Sequence, residues 1–408
     1  MTALAARPGG AIGGLAARII GALIMLALGY VVVVAAVAPV IVQRDVASAY
    51  ALAPGNAQIA AEWARQVLND DLSPTGQAAA ETAARAALRR DPTRVAAVAT
   101  LGLIAQLRGD APAARRWFVR AERLSRRDLA TQLWWIEDAV GRGAVAEALR
   151  HYDTALRTQP GADQVLFPLL AKASGDPNIV DPLVALLRRK PAWGGAFVDY
   201  VGANSGDAYA STRFFAALTR AGVEVPFTAR NQLVNALLDK DPDVAWAYYA
   251  SYHPGVDRRR SRDPDFRVIT DWPARFDWWI NNNTAFSSAI QLGRDHGVFS
   301  FSATPTVGGP ILQQVQLLPP GVYLLEGRSA GVDQAPGERP YWALKCVVDE
   351  RELGRIEMPN SAVAGGRFQG QFVVPQGCPA QLLTFVIRPS SSVGGVVGEL
   401  SRVALGPR

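Results

Sequence analysis

The chain carries one serine in the setting of a nucleophile. Gly327-Arg328-Ser329-Ala330-Gly331 matches the G-x-S-x-G pattern of an acyl-transfer elbow. That chemistry needs a helix straight after the serine and a general base within reach of its hydroxyl. Residues Gly331 to Pro336 do not read as a helix, and no histidine follows Ser329. The pentapeptide is therefore expected to be a turn between strands. Glycoside hydrolysis would need two carboxylates facing one cleft. Asp349, Glu350 and Glu352 are close in sequence, but they flank an expected hairpin and read as charged turn residues. His151, His253 and His296 lie in three separate segments, and His151 reads as a surface or packing residue. With 2 cysteines and 3 histidines, a Cys₄ or Cys₂His₂ zinc site would need nearly all of them together. Gly365-Gly366 and Gly394-Gly395 lack the lysine and the following helix of a phosphate loop. The expectation is a protein that is not an enzyme, with no catalytic residues, no metal and no cofactor.

Binding chemistry is better represented. An aromatic ring stacks on the apolar face of a pyranose while polar groups take the hydroxyls. Trp278, Trp279 and Tyr341 are the candidate glycan platform, with Trp272 and Trp342 beside them in sequence. Trp272, Phe276, Trp278 and Trp279 fall where helices give way to strands, which favours packing between the two regions. Trp342 shares a strand-like run with a cysteine and reads as core. Between Arg85 and Arg127 there are eleven arginines and three acidic residues. Arg115, Arg116, Arg120, Arg123 and Arg127 follow helical spacing and form one basic stripe, opposite Ala114, Phe118, Ala121 and Leu124. The stripe suits an anionic lipid, an acidic polysaccharide or an acidic partner; a solvated helix face is the plainer alternative. The net charge of +6 is too small to argue for nucleic acid.

These residues need elements to hold them. Past Asp263 helical periodicity stops and short alternating runs appear: 276–280, 297–302, 312–317, 322–327, 341–348, 355–358, 368–374, 382–387 and 396–405. Turn residues separate them, so 263–408 is expected to be an all-β sandwich or jelly roll. Pro319-Pro320-Gly321 reads as a tight hairpin turn. Cys346 and Cys378 both fall here and are the disulfide candidate; a bridge would close a loop of about 33 residues, worth about 3–4 kcal/mol. Two unpaired core cysteines are the alternative. The runs Gln313-Gln314-Val315-Gln316-Leu317, Pro320-Gly321-Val322-Tyr323, Phe372-Val373-Val374-Pro375 and Gly398 to Leu405 resemble jelly-roll carbohydrate-binding modules. The resemblance covers about a third of the chain and implies a fold, with sugar binding as its expected use.

From 47 to 262 the chain is rich in Ala, Leu and Arg with a helical period. At a spacing of 34, Gly109 pairs with Gly143, Phe118 with Tyr152, Ala114 with Ala148 and Ala121 with Ala155; Pro92 and Pro160 are twice that distance apart. This resembles the tetratricopeptide repeat (TPR), with repeats at 56–92, 95–126 and 129–160. Gly102 supplies the small helix-A residue of one repeat; Ile136 departs from it in the next, and Arg126 stands where Pro is expected. The resemblance implies a solenoid that binds a protein partner. Its groove would be lined by Leu103, Gln106, Leu107, Leu133 and Glu137, without the basic set that grips a peptide carboxylate. Residues 161–260 read as degenerate helical pairs capping the solenoid.

Residues 19–43 contain no charge across 25 positions, a helix of about 37 Å against a hydrocarbon core of about 30 Å. A single transmembrane helix is expected there. Arg7, Arg18 and the amino terminus put 1–18 in the cytoplasm and the rest in the periplasm. Ala47-Ser48-Ala49 would serve a cleaved signal peptide instead. Across 408 residues, 49% hydrophobic and 19% charged content excludes a largely disordered chain. The expected molecule is multidomain: a single transmembrane helix, an all-α TPR-like solenoid, then an all-β sandwich. Its expected role is a non-catalytic scaffold or binding protein of the bacterial inner membrane, in surface polysaccharide assembly or export. A purely protein-binding assembly factor and a jelly-roll glycan hydrolase are the alternatives.

Overall fold

The computed structural model describes residues 40–42, 44–293 and 296–408. The expected membrane span at 19–43 lies, apart from 40–42, outside the described residues. Among those described, no helix is long and apolar enough to cross a membrane. The chain divides into two compact units, Met1–Leu166 and Phe167–Arg408.

The first unit is built from helix hairpins. A short helix, α1 (Val46–Leu52), precedes three pairs: α2 (Ala57–Asp70) with α3 (Pro74–Arg90), α4 (Val95–Leu107) with α5 (Ala111–Leu124), and α6 (Leu129–Gly141) with α7 (Val145–Thr158). Asp45, Asn56, Ser73, Asp110 and Asp128 start their helices by accepting backbone N–H bonds. Gly109 and Gly143 make the turns inside the second and third pairs at φ +76° and +70°, where a side chain would be strained. Packing follows small-against-large logic. A Cβ on Gly102 would lie 2.8 Å from the ring of Phe118, so α4 and α5 approach only because that position is bare. Phe118 then stacks on Trp134 of the next pair, centroids 4.5 Å apart. His151 is buried against Trp135; its Nδ1 donates to Gln132 Oε1 at 2.8 Å and its Nε2 accepts from Arg150 Nη2 at 3.2 Å.

The boundary between the units falls within α8 (Ala162–Ala173). Helices α9 (Pro177–Leu187), α10 (Gly194–Ala203), α11 (Ala208–Arg220), α12 (Phe227–Leu238) and α13 (Pro242–Tyr252) belong to the second unit. Aromatic side chains hold several of them: Phe197 meets Phe167, Trp193 and Phe214 edge-on.

Ten strands follow in two antiparallel sheets. One runs β1-β4-β9-β6-β7, the other β2-β3-β10-β5-β8. The strands are β1 (Trp279–Ile280), β2 (Phe286–Leu292), β3 (Gly297–Ala303), β4 (Gly309–Gln316), β5 (Gly321–Ala330), β6 (Tyr341–Cys346), β7 (Glu352–Glu357), β8 (Arg367–Val374), β9 (Gln381–Ile387) and β10 (Val396–Pro407). Taken alone, β3 to β10 give the orders 3-10-5-8 and 4-9-6-7, the double Greek key of a jelly roll. One core cluster joins both sheets, Phe301 of β3 meeting Phe385 of β9 edge-on and Phe385 packing on Trp342 of β6. Cys346 and Cys378 are bridged, with their Cα atoms 5.7 Å apart.

Three local expectations change. Pro319-Pro320-Gly321 joins β4 to β5, which lie in different sheets, so it turns a corner between sheets and closes no hairpin. Ser329 is inside β5, where the run continues to Ala330 before the chain turns at Gly331. The run at 276–280 shrinks to the two residues of β1, because Phe276 is drawn into the helices instead.

Candidate functional site

The segment between α13 and β1 is pinned from both sides. Arg262 is buried, and its Nε donates to the Phe276 carbonyl at 2.8 Å. Nη1 donates to the Arg260 carbonyl and to Gln316 Oε1, each at 3.0 Å, and Nη2 to the Val315 carbonyl. Burial pushes this guanidinium down to about 10, so it remains charged at neutral pH. Asp277 accepts from the Tyr249 hydroxyl at 2.5 Å and from the Ala274 amide at 3.2 Å. Burial holds the Asp277 carboxyl above the ordinary range, against the pull of the Tyr249 bond, and holds His253 below the ordinary imidazole value.

Residues 272–275 are fixed to α12. Asn231 Nδ2 donates to the Trp272 carbonyl at 3.0 Å, and Asn235 Oδ1 accepts from the Arg275 amide at 2.7 Å. Arg275 also pairs with Asp239. These bonds use the backbone of Trp272 and leave its ring, 57% exposed, facing out. Trp279 sits on β1, the edge of its sheet, opposite Gln313 of β4, and is 39% exposed.

Both indoles line one cavity of about 360 Å³, with Ile269, Thr270, Asp271 and Asn282. Trp279 also borders a smaller cavity of about 130 Å³ beside Gln313. Asn282 is locked: its amide donates to the Ser288 carbonyl at 2.9 Å and its oxygen accepts from the Ser288 N–H and hydroxyl, each at 2.8 Å. Thr270 and Asp271 make no side-chain hydrogen bond among the described residues. The cleft thus offers two ring surfaces, a carboxylate and a hydroxyl. That is the equipment for holding a polyhydroxylated ring.

Of the other sequence candidates, Trp278 borders the same cavity and the rest fall elsewhere. Trp278, 5% exposed, donates its N–H to the Asp263 carbonyl at 2.8 Å and packs on Phe266 and Trp342, so it presents no face for a sugar. Tyr341 is crowded by the guanidiniums of Arg355 and Arg388, 4.1 and 4.4 Å from its ring centre. Of the four residues expected at the junction, Phe276 packs there against Trp246 and Tyr249, while Trp272 and Trp279 stay open. Trp272 precedes Pro273, which disfavours helical backbone there; nothing in the sequence separates its exposed ring from the buried one of Trp278.

Ser329 is buried, its hydroxyl 3.1 Å from that of Ser361 and 3.3 Å from the Gly366 carbonyl. Asp349 and Glu350 lie between β6 and β7, and Glu352 pairs with Arg355. In the basic stripe, Arg115 pairs with Asp138 and sits over Trp135, and Arg120 donates to the Pro92 carbonyl. Arg116, Arg123 and Arg127 form no ion pair among the described residues. Of the groove candidates, Gln106 accepts from Trp134 Nε1 at 3.3 Å, Leu103 and Leu133 are half-buried, and Leu107 and Glu137 are exposed.

No family model matches the chain. No curated protein matches it. The C-terminal sheet region is similar to carbohydrate-binding modules among solved structures. One is from Cellvibrio mixtus lichenase 5A, in complex with cellotriose: 12% identity, 32% of this chain, 92% of that chain, TM-score 0.21. Another is the C-terminal module of a marine laminarinase from Zobellia galactanivorans: 13% identity, 32% of this chain, 99% of that chain, TM-score 0.19. The enzymatically active domain of bacteriophage CBA120 tailspike protein 4 matches at 13% identity over 32% of this chain, TM-score 0.23, and the chain spans 18% of that structure's length. At these TM-scores the likenesses carry no argument about activity, and the site rests on its own geometry.

Proposed function

We propose that the protein is a non-catalytic carbohydrate-binding protein of the bacterial cell envelope. In this reading residues 19–43 anchor it in the inner membrane, with the folded regions in the periplasm. One observation carries the sugar-binding half: Trp272 and Trp279 open onto a single cleft that also holds the unengaged Thr270 and Asp271. The charge-free 25 residues at 19–43 and the Cys346–Cys378 bridge support the envelope half. The helical repeats would hold a protein partner, and the Arg115 to Arg127 stripe an anionic lipid or acidic polysaccharide. Assembly or export of surface polysaccharide is the process such a molecule would serve.

The test is affinity electrophoresis of the full-length protein in detergent through gels carrying neutral glucans, xylans and mannans. Retardation by at least one polymer is expected. Trp279→Ala and Trp272→Ala should each weaken it about tenfold, the size of one lost ring contact. Unretarded wild-type protein, or retardation that both variants keep, removes this reading. The exposed Val268 and Ile269 beside the same cleft favour a second reading, a purely protein-binding module. Crosslinking in cells through position 269 would recover a protein under that reading.

A further inference from the structure

The G-x-S-x-G match contains chemistry in the residue beside its serine. Side chains alternate along a strand, so while Ser329 turns into the sandwich, Arg328 turns out. Register then places two more arginines level with it. Arg328 stands directly opposite Arg367 of β8 on one side and Arg402 of β10 on the other. Three guanidiniums therefore cross three neighbouring strands in one row, along a cavity of about 460 Å³ that Glu326 and Gln369 also line.

Like charges placed opposite each other in a sheet are destabilising. The fold does little to relieve them. Asp265 holds Arg402 at 2.7 Å. The side chains of Arg328 and Arg367 form no ion pair or hydrogen bond among the described residues, although Glu326 lies two positions back on the same face. A guanidinium presents a planar fork that matches carboxylates, sulfates and phosphates. The row spans two interstrand spacings, about 9–10 Å. A single small anion covers one member of it; a polymer with successive anionic groups covers all three.

We infer that the Arg367–Arg328–Arg402 row is an oxyanion site for an acidic polysaccharide, with carboxylate or sulfate groups on successive sugars. The oxyanion site stands on the register alone; that its ligand is a glycan rests on the function proposed above. Single-stranded nucleic acid would need open aromatic platforms beside the charges. The ring in this cavity, Phe368, is buried.

The experiment is titration of the full-length protein in detergent with polygalacturonate, dextran sulfate, neutral dextran, a single-stranded oligonucleotide and anionic phospholipid vesicles. The variants are Arg328→Gln, Arg328→Gln/Arg367→Gln and Arg328→Lys. Polygalacturonate or dextran sulfate should bind, and the double variant should weaken that binding at least about tenfold. Arg328→Lys, which keeps the charge without the fork, should fall between. Arg328→Gln should melt no lower than wild type, since it relieves repulsion. Binding of both acidic glycans that the double variant leaves unchanged overturns the site. Tighter binding of the oligonucleotide or the vesicles, lost in the same variant, overturns the glycan as its ligand. The two proposals fail separately. Losing the arginine row leaves neutral-glycan binding at Trp279 intact, whereas wild-type protein that binds neither acidic glycan overturns the row as a glycan site whether or not neutral glycans bind.

Discussion

The helical hairpins and the sandwich are held together by opposite strategies. In the hairpins, residues that touch are close in sequence: Gly102 meets Phe118, and Phe118 meets Trp134. In the sandwich the defining contacts are distant: β5 lies between β8 and the last strand, β10, and Arg328 sits level with Arg402. Local packing spreads stability evenly over repeated units. Long-range pairing concentrates it in a few closures whose loop entropy must be met. The difference shows where each region is vulnerable, and where each can place a site: the hairpins on helix faces, the sandwich wherever register assembles side chains from several strands.

The largest expected effect lies in the closure that the sandwich reinforces covalently. Cys346 ends β6, Cys378 lies between β8 and β9, and the two are 32 positions apart. Replacing both by alanine should cost about 3–4 kcal/mol through the freed chain entropy of the unfolded state. Hydrogen exchange read by mass spectrometry separates the regions. Faster exchange is expected in β6 and β9, with α4 to α7 unchanged. Equal acceleration in both regions would show that the two do not unfold independently.

A smaller effect tests the hairpins. Gly102→Val places a branched side chain where even a Cβ would be 2.8 Å from Phe118. Overpacking of this kind costs about 1–3 kcal/mol. Exchange should now quicken in α4, α5 and α6 and stay as it was in the sandwich. A variant as stable as wild type would mean that the approach of α4 and α5 does not depend on the missing side chain.

The same contrast explains what is legible in the chain before folding. Gly109, Gly143, Phe118 and Tyr152 announce the hairpins because each acts on neighbours within a turn or a helix length. Most strands announce themselves through alternation, and the two cysteines through their shared domain. Sheet membership is not announced. Pro319-Pro320-Gly321 looks the same whether the next strand pairs with the last or crosses to the other sheet. Strand β2 is missed, since its alternation, Phe286 and Ser288 inward, is partly polar. The Trp278–Trp279 pair shows the limit at a site: adjacent residues on opposite sides of the chain, one buried in the core and one open to the cleft. The arginine row is invisible until register exists, because its members are 39 and 74 positions apart from Arg328.

The smallest expected effect compares two histidines, His151, buried in the hairpins, and His253, half-buried at the end of α13. Burial holds both His151 and His253 below the ordinary imidazole value. Each therefore takes up its proton at a lower pH in the native state than in the unfolded chain, where it does so near pH 6.5. Stability from this source is present above that pH and is lost as pH falls through it, by at most about 1.4 kcal/mol per pH unit. Asp277 is raised, so the native state binds its proton at a higher pH than the unfolded chain does, and that linkage adds stability on acidification. Among the described residues His151 is faced by Glu122, Glu147 and Arg150. Acidification from pH 7 to 5 should thus loosen the hairpins more than the segment around His253. Replacing His151 by phenylalanine keeps a ring against Trp135 and removes the titration. The variant should be less stable at pH 7, having lost the Gln132 bond, yet its hairpins should exchange at nearly the same rate at pH 5 once the intrinsic pH dependence of exchange is divided out. If the hairpins of wild type and variant weaken in parallel with falling pH, His151 is not their acid-sensitive group.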